Sequence, residues 1–219
     1  MNQLVANILK SYIEPLDFVD KIAGLVQTVY LNITDENSVN VQKSFPVSCN
    51  FSVDDCKNSL YNELTPDSKY RTIIYFEDGG VTFNKREGKF ICYTSNLKLV
   101  CWINVAKLYG ELCPDGVPCT AGAEIIKKIL CQFPAHPVNI ASFAKFYPVV
   151  VSEDIRSNSI FSKYTYNEKQ TQYLLYPYDF FALNITTDFC VCMDCAVPVV
   201  PIGAECDGLT DDDGKLIIL

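Results

Sequence analysis

The sequence predicts an α+β protein with a predominantly antiparallel sheet, two or three helices packed on it, a long late strand and an extended C-terminal arm. Three patterns support this prediction: helical spacing of apolar residues over 3–14, strand segments separated by turns over 70–106, and nearly unbroken alternation over 179–193. The 219 residues, of which 49% are hydrophobic, are enough for one sizeable core. We therefore predict a single domain over residues 1–195 and an arm over residues 196–219.

The first elements follow from periodicity and from proline. Residues 3–14 place apolar side chains on one helical face and polar side chains on the other. Pro15 ends this helix, because the residue before a proline avoids the α region. A second short helix is predicted over residues 16–23. Strand-forming residues then predict a strand over 25–34 and a partly extended return over 39–51.

The middle of the chain predicts a four-stranded antiparallel meander. Short turns separate its segments, and Gly79, Gly80 and Gly88 supply the positive φ angles that tight turns require. Apolar residues alternate along the last segment, so they are expected to share one buried face. The predicted strands cover residues 70–77, 81–85, 89–94 and 97–106.

One further helix is predicted between the meander and the late strand. Thr120 is its predicted N-cap, and the helix reaches Phe133 with an apolar stripe facing the core. It follows a proline-bounded loop over 113–119. A strand is predicted over 147–151, and the polar, tyrosine-rich residues 161–171 predict a solvated hairpin or loop.

The late strand over 179–193 is the clearest indication of assembly in the sequence. At about 3.3 Å per residue it would be about 45 Å long, which exceeds the usual length of a strand. Such surplus length favours a strand that projects or pairs with a neighbouring chain. In the arm, the apolar residues 216–219 are expected to dock on this fold or on a partner.

Charge and hydropathy narrow the classes of function. The net charge of −8 and the lack of a Lys/Arg cluster argue against sequence-specific binding of nucleic acid, whereas an acidic channel wall along which DNA slides is compatible with this charge. No run of about 20 apolar residues predicts a membrane helix. The N-terminal residues lack a signal-peptide pattern, so we expect synthesis in the cytoplasm and reduced thiols among the 11 cysteines.

No motif in the sequence predicts an enzyme. His136, the one histidine, lies in a proline-flanked loop without a catalytic signature around it. The acidic residues 207–214 have the composition of a calcium loop, but Leu209 falls where an EF-hand needs its first ligand, which favours a solvated turn. We therefore predict no catalytic residue, no cofactor and no metal site.

The late cysteines leave one alternative open. Zinc needs four thiolate or imidazole ligands, and of Cys190, Cys192, Cys195 and Cys206 only the pair Cys192 and Cys195 has the spacing of a zinc knuckle. Cys113 and Cys119 bracket a short loop and are interpreted as thiols at its neck. The default interpretation is small hydrophobic side chains. The alternatives are a metal-binding or thiol-dependent intracellular protein and a monomeric accessory protein.

Two stretches of the chain resemble the neck and tail-completion proteins of tailed phages. They are the opening helix with the strand after it, and residues 172–187, QYLLYPYDFFALNITT, which look like the late long strand of head-to-tail connector folds. The chain is also similar to ring proteins of crAss-like phages in its size and its richness in cysteine and tyrosine. The resemblance implies a non-enzymatic virion protein, made in the host cytoplasm, that forms a homo-oligomeric ring between portal and tail subunits. It transfers no functional residue to this chain.

Overall fold

The computed structural model describes residues 2–34, 40–48, 62–110, 121–140, 144–166 and 168–192. The predicted class is confirmed, because these residues form an α+β fold with a mostly antiparallel sheet and four helices. The helices are α1 (Asn2–Ile13), α2 (Val105–Tyr109), α3 (Ala121–Leu130) and α4 (Glu168–Gln172). The strands are β1 (Lys21–Thr34), β2 (Asn40–Ser48), β3 (Asn62–Glu63), β4 (Thr72–Glu87), β5 (Phe90–Asn104), β6 (Val138–Ile140), β7 (Ala144–Phe146), β8 (Val150–Ile155) and β9 (Tyr178–Cys192).

The sheet is organised around β5. Its strand order is β3-β2-β1-β4-β5-β9-β7-β6, with β8 also paired to β9. β4 and β9 flank β5 and both run antiparallel to it, whereas β1 runs parallel to β4. Antiparallel pairs predominate, as predicted. The one parallel pair among the described strands, β1 with β4, was not predicted.

The predicted meander is wrong in its strand count. Gly79 and Gly80 form a bulge within β4, because the pairing with β5 passes from Asp78 to Val81 without a reversal of the chain. Gly80 has φ 94°, which suits a bulge as well as a turn. The chain reverses only at Gly88, where φ is 56°. Four predicted short strands are therefore two long ones.

Other segments of the chain cover both faces of the sheet, and a hydrophobic core lies between each face and the segments that cover it. On the first face, α1 and α3 share a core with the alternate residues of β5 that were predicted to share a buried face, namely Leu97, Leu99, Cys101 and Ile103. On the second face, Trp102 of β5 packs with Phe161 and Tyr164. The prediction that 161–171 is solvated is wrong for these two residues, which are 3% and 7% exposed.

The predicted short helix over 16–23 is also wrong, because tertiary contacts hold this segment against β4. The Asp20 carboxylate accepts hydrogen bonds from the backbone N–H and the guanidinium of Arg71 at 2.6–2.8 Å. The carbonyl of Phe18 accepts a bond from the Thr72 hydroxyl at 2.8 Å. β1 therefore begins at Lys21, directly opposite Ile73.

Two predictions on the second half of the chain need correction. Of the strand predicted over 147–151, only Val150 and Val151 lie in a strand, β8, because Pro148 has no N–H for a ladder and separates β8 from β7, which ends at Phe146. The predicted helix is confirmed as α3, but Thr120 lies outside the described residues. The carboxylate of Asp179 instead accepts the Gly122 N–H at 3.1 Å, which satisfies one open donor at the start of α3.

The predicted late strand is confirmed as β9, but its surplus length is used within the chain. β5 pairs with β9 from Tyr178 to Cys192, and β7 and β8 pair with the other edge over residues 189–191 and 182–186. β9 therefore has partner strands within the chain on both edges over residues 182–186 and 189–191. The predicted arm over 196–219 lies outside the described residues.

Candidate assembly surface

β4 changes from a buried strand to an exposed one at the bulge. Residues 72–77 are buried, and residues 78–87 are all exposed. The same point ends the pairing with β1, whose last partner in β4 is Phe76. Residues 77–87 of β4 thus have β5 on one side and no strand on the other among the described residues. We call them the open edge.

The open edge carries apolar side chains that are exposed to water, which is energetically unfavourable. Val81 is 39% exposed and Phe83 is 60% exposed. Phe83 contacts Tyr93 of β5 edge-to-face at 6.1 Å, and Tyr93 stacks on Phe189 of β9 at 5.5 Å. Phe146 of β7 lies opposite Phe189. This aromatic row crosses four strands, is buried at its inner end and ends in Phe83 at the open edge.

The first residues of α1 fix the base of the open edge. Asn2 is 3% exposed, and its amide nitrogen donates to the Asp78 carboxylate at 2.5 Å and to the Gly80 carbonyl at 3.1 Å. Its amide oxygen accepts a bond from the buried hydroxyl of Ser95 in β5. One asparagine therefore joins α1 to both strands at the bulge.

Asn2→Ala is expected to lower the free energy of unfolding by about 1–3 kcal/mol, because it leaves the buried Ser95 hydroxyl without its acceptor. Urea denaturation followed by circular dichroism measures this change. The control is Gln3→Ala, since Gln3 is partly exposed and bonds only to Asn7 in α1. Equal stability of the Asn2→Ala variant and the wild type would show that α1 does not hold the bulge.

On the second face of the same strands, polar side chains form hydrogen bonds across the strands, and a disulfide joins two of the strands. The Asp188 carboxylate of β9 accepts bonds from the Thr94 hydroxyl at 2.6 Å and the Asn84 amide at 3.2 Å. In the next row, Cys92 of β5 and Cys190 of β9 form a disulfide. The prediction of reduced thiols is wrong for this pair. The disulfide ties β5, the strand that supports the open edge, to the core strand β9.

The tip of the β4–β5 ribbon, residues 85–89, is basic. It carries Lys85, Arg86 and Lys89 against one acid, Glu87. Lys85 and Glu87 form an ion pair at 2.7 Å, and the hydrogen bond between them raises the pKa of Lys85 and lowers the pKa of Glu87. Within the described part of the chain, Arg86 has no ion-pair partner. The tip therefore carries the guanidinium of Arg86 three residues beyond Phe83.

The sequence candidates for chemistry are not brought together. His136 is exposed in a bend before β6. Cys190 and Cys192 lie on β9, while Cys195, Cys206 and the segments 113–119 and 207–214 fall outside the described residues. In the part of the chain that the structure describes, no three His, Cys, Asp or Glu side chains are placed to hold a metal ion. No helix there is long and apolar enough to cross a membrane.

A buried polar cluster under the second face was missed by the sequence analysis. Glu77 is 6% exposed, and its carboxylate accepts bonds from the Tyr164 hydroxyl at 2.6 Å and from Lys163 at 2.9 Å. Tyr75 lies beside it and is 1% exposed. Burial raises the pKa of Tyr75, Tyr164 and Tyr166. Alternation along 70–77 places Tyr75 and Glu77 on one face, but no local signal identifies a partner as distant in sequence as Tyr164.

No protein-family model matches the chain, and no curated protein matches it. An exposed strand edge pairs readily with another strand, and natural proteins usually cover it or blunt it with charges or proline. Here the edge has apolar side chains at its centre and charged side chains at its two ends.

Proposed function

We propose that the protein is a structural, non-catalytic virion component that forms a homo-oligomeric ring in the head-to-tail connector, or neck, of a tailed bacteriophage. Its neighbours are other virion proteins, such as portal or tail subunits. The observation that carries the proposal is the open edge, where a strand with no outer partner among the described residues and the exposed Phe83 offer both backbone and apolar contacts to a second subunit. The phage setting rests on the resemblance of the opening helix and of residues 172–187.

The net charge supports a ring through which DNA passes. A chain with a net charge of −8 repels phosphates, so a lumen lined by copies of it does not retain DNA. Sequence-specific binding of nucleic acid and insertion in a membrane form no part of this function. In an assembled virion, strand addition at each copy's open edge joins neighbours head-to-tail, and a head-to-tail contact closes into a ring when its rotation allows.

Replacement of Phe83 by Asp is expected to shift the purified protein from a ring to monomers, because a charge at the centre of the open edge must be desolvated on assembly. Native mass spectrometry and negative-stain electron microscopy measure the oligomeric state. The matched control is Leu175→Asp, since Leu175 is 59% exposed, similar to the 60% of Phe83, and lies away from β4. A wild-type protein that stays monomeric at high concentration would overturn the proposal.

The alternative of a metal-binding or thiol-dependent intracellular protein depends on the late cysteines. Only Cys190 and Cys192 of that set lie in the described residues, and Cys190 is bonded to Cys92. Elemental analysis of the purified protein distinguishes the two functions. Stoichiometric zinc that is lost on Cys192→Ser would favour the alternative, whereas rings without zinc favour the connector.

A further inference from the structure

The open edge is chemically complementary to itself. Asp78 lies at its inner end, Val81 and Phe83 lie at its centre, and Arg86 lies at its tip. These four side chains share the first face of the sheet, because residues opposite one another share a face and their partners in β5 are alternate residues. In the same order, the partners are Leu97, Ser95, Tyr93 and Ile91.

The two bulges of β4 give the open edge equal spacing on both sides of Thr82. Each bulge adds one residue to β4, one of them before Val81 and the other after Phe83. Counted in rows of β5, Asp78 and Arg86 each lie three rows from Thr82, and Val81 and Phe83 each lie one row from it. The two halves of the edge therefore match in spacing and are opposite in charge.

We infer that two free copies of the chain pair through their open edges as antiparallel strands, related by a two-fold axis at Thr82. This symmetry places Arg86 opposite Asp78 of the partner subunit and Phe83 opposite Val81 of the partner subunit, and each pair occurs twice. Pairs of acid with base and of aromatic with aliphatic side chains stabilise antiparallel sheets. A parallel arrangement would bring like charges together at both ends of the edge.

Asp78 has a carboxylate oxygen placed for this ion pair. Its Oδ1 atom accepts bonds from the Asn2 amide and from the Gly80 N–H. Its Oδ2 atom has no hydrogen-bond partner within the described segments, and the residue is exposed. A guanidinium of the partner subunit can therefore bind Oδ2 without displacing the bonds that hold the bulge.

The second face of the edge is compatible with the same pairing. The outermost row places Glu77 opposite Glu87 of the partner subunit, but each carboxylate is already paired with a lysine. Glu77 pairs with Lys163 at 2.9 Å, and Glu87 pairs with Lys85 at 2.7 Å. Lys85 of the partner subunit also lies two rows from Glu77 on this face. Positive and negative charges thus alternate along it.

The dimer is a resting form of the protein. A single copy in solution would expose Phe83 and the strand edge beside it, which favours uncontrolled strand addition. Pairing of two open edges covers both edges at once. The proposed ring uses the same edge to bind a neighbouring subunit, so the dimer must separate before a ring grows. The resting role therefore rests on the proposed function, whereas the dimer itself does not.

A cysteine at the two-fold axis tests the dimer. The symmetry puts position 82 of the two copies directly opposite one another, with β-carbons about 5 Å apart. Thr82→Cys should therefore form a covalent dimer in oxidised glutathione, linked through position 82 as mapped by mass spectrometry. The controls are the wild type and Leu175→Cys, whose position is 59% exposed and lies away from β4. They measure the background from the native cysteines, which include the exposed Cys131. Cross-linking of Thr82→Cys at this background level would overturn the inference.

Charge reversal provides an independent test. Arg86→Asp should raise the dissociation constant of the dimer about a hundredfold, tenfold for each of the two ion pairs that it replaces with a repulsion. Asp78→Arg should do the same. An equal mixture of these two variants should form heterodimers of nearly wild-type affinity, because both rows then pair an acid with a base. Sedimentation equilibrium measures the affinities, and circular dichroism confirms folding. Arg156→Asp, on the opposite side of the sheet beyond β8, is the control. A mixture no tighter than its components would contradict the pairing.

Ring assembly separates this inference from the proposed function. Rings that form from a chain without the cross-link at position 82 overturn the dimer and leave the proposed function standing. A chain that gives the cross-link but never forms rings removes the proposed function and leaves the dimer. Cross-linked Thr82→Cys should form rings only after reduction, with wild type in the same reductant as the control. Rings built from the cross-linked dimer would overturn the resting role.

Discussion

Replacement of Trp102 by Ala is expected to lower the free energy of unfolding by about 3–5 kcal/mol, the largest effect that we predict for a single substitution. Trp102 is 1% exposed at the centre of the second core. It stacks on Tyr178 at 5.2 Å and contacts Tyr173 edge-to-face at 6.4 Å. Its indole N–H donates to the Tyr173 carbonyl at 2.7 Å. The substitution therefore removes the indole ring, its aromatic contacts and its hydrogen bond together.

Urea denaturation followed by far-ultraviolet circular dichroism measures this loss, since the variant lacks the only tryptophan as a fluorescent probe. Trp102→Phe is the matched control. It keeps an aromatic ring in the core but leaves the Tyr173 carbonyl without its donor, so a loss of about 1–3 kcal/mol is expected. A stability of Trp102→Ala within about 1 kcal/mol of the wild type, roughly the error of such measurements, would mean that the second core is not packed as described.

The faces of the sheet could be predicted from the sequence, because alternation is a local property. Leu97, Leu99, Cys101 and Ile103 are two residues apart, and the structure buries all of them on one face. The same local reasoning predicted α1, α3 and β9. These elements have long and regular patterns, for which periodicity is a sufficient signal.

The connection of the strands could not be predicted, because the same residues serve different geometries. A pair of glycines provides positive φ equally for a turn and for a bulge. The choice at Gly79 and Gly80 depends on β5, which continues opposite β4 past the bulge. A β-carbon on Gly79 would lie 2.9 Å from the Asn96 carbonyl oxygen, so close approach of the strands also requires glycine there. Only the folded sheet reveals this contact.

The candidate site differs from the sequence prediction for a related reason. Strand length suggested that β9 was the strand with unused edges, whereas β4 has the open edge. Whether an edge is open depends on where its neighbours end, and β1 separates from β4 after Leu25. The burial of Tyr164 could not be predicted either, because tyrosine occurs both in solvated loops and in cores. A buried tyrosine hydroxyl needs a hydrogen-bond partner, which for Tyr164 is the Glu77 carboxylate.

The buried tyrosines predict a second large effect, a loss of stability at alkaline pH. Burial, with the charge of Glu77 acting in the same direction, raises the pKa of Tyr164 and Tyr166. Burial also raises the pKa of Tyr75 well above the usual value for tyrosine. In the unfolded chain, tyrosine side chains ionise at about pH 10. The folded protein therefore retains these protons at pH values where the unfolded chain has released them.

The sign of the effect follows from proton linkage. Above about pH 10 the unfolded state binds fewer protons than the folded state, so the free energy of unfolding falls as the pH rises. Each tyrosine contributes about 1.4 kcal/mol per pH unit in this range. Three tyrosines together contribute about 4 kcal/mol per pH unit. The stabilisation is complete below the pKa of the unfolded chain and is lost progressively above it.

The protein is thus expected to unfold between about pH 10 and pH 12, since two pH units would remove about 8 kcal/mol, comparable with the whole stability of a typical domain. Circular dichroism at fixed urea across this range measures the slope. Tyr75→Phe should reduce the slope by about 1.4 kcal/mol per pH unit, and it removes a hydroxyl that has no hydrogen-bond partner among the described residues. Tyr176→Phe is the control, because it also removes a tyrosine hydroxyl but from a ring that is 79% exposed. A slope that Tyr75→Phe does not alter would show that Tyr75 ionises equally well in the folded protein, which is incompatible with its place in the second core.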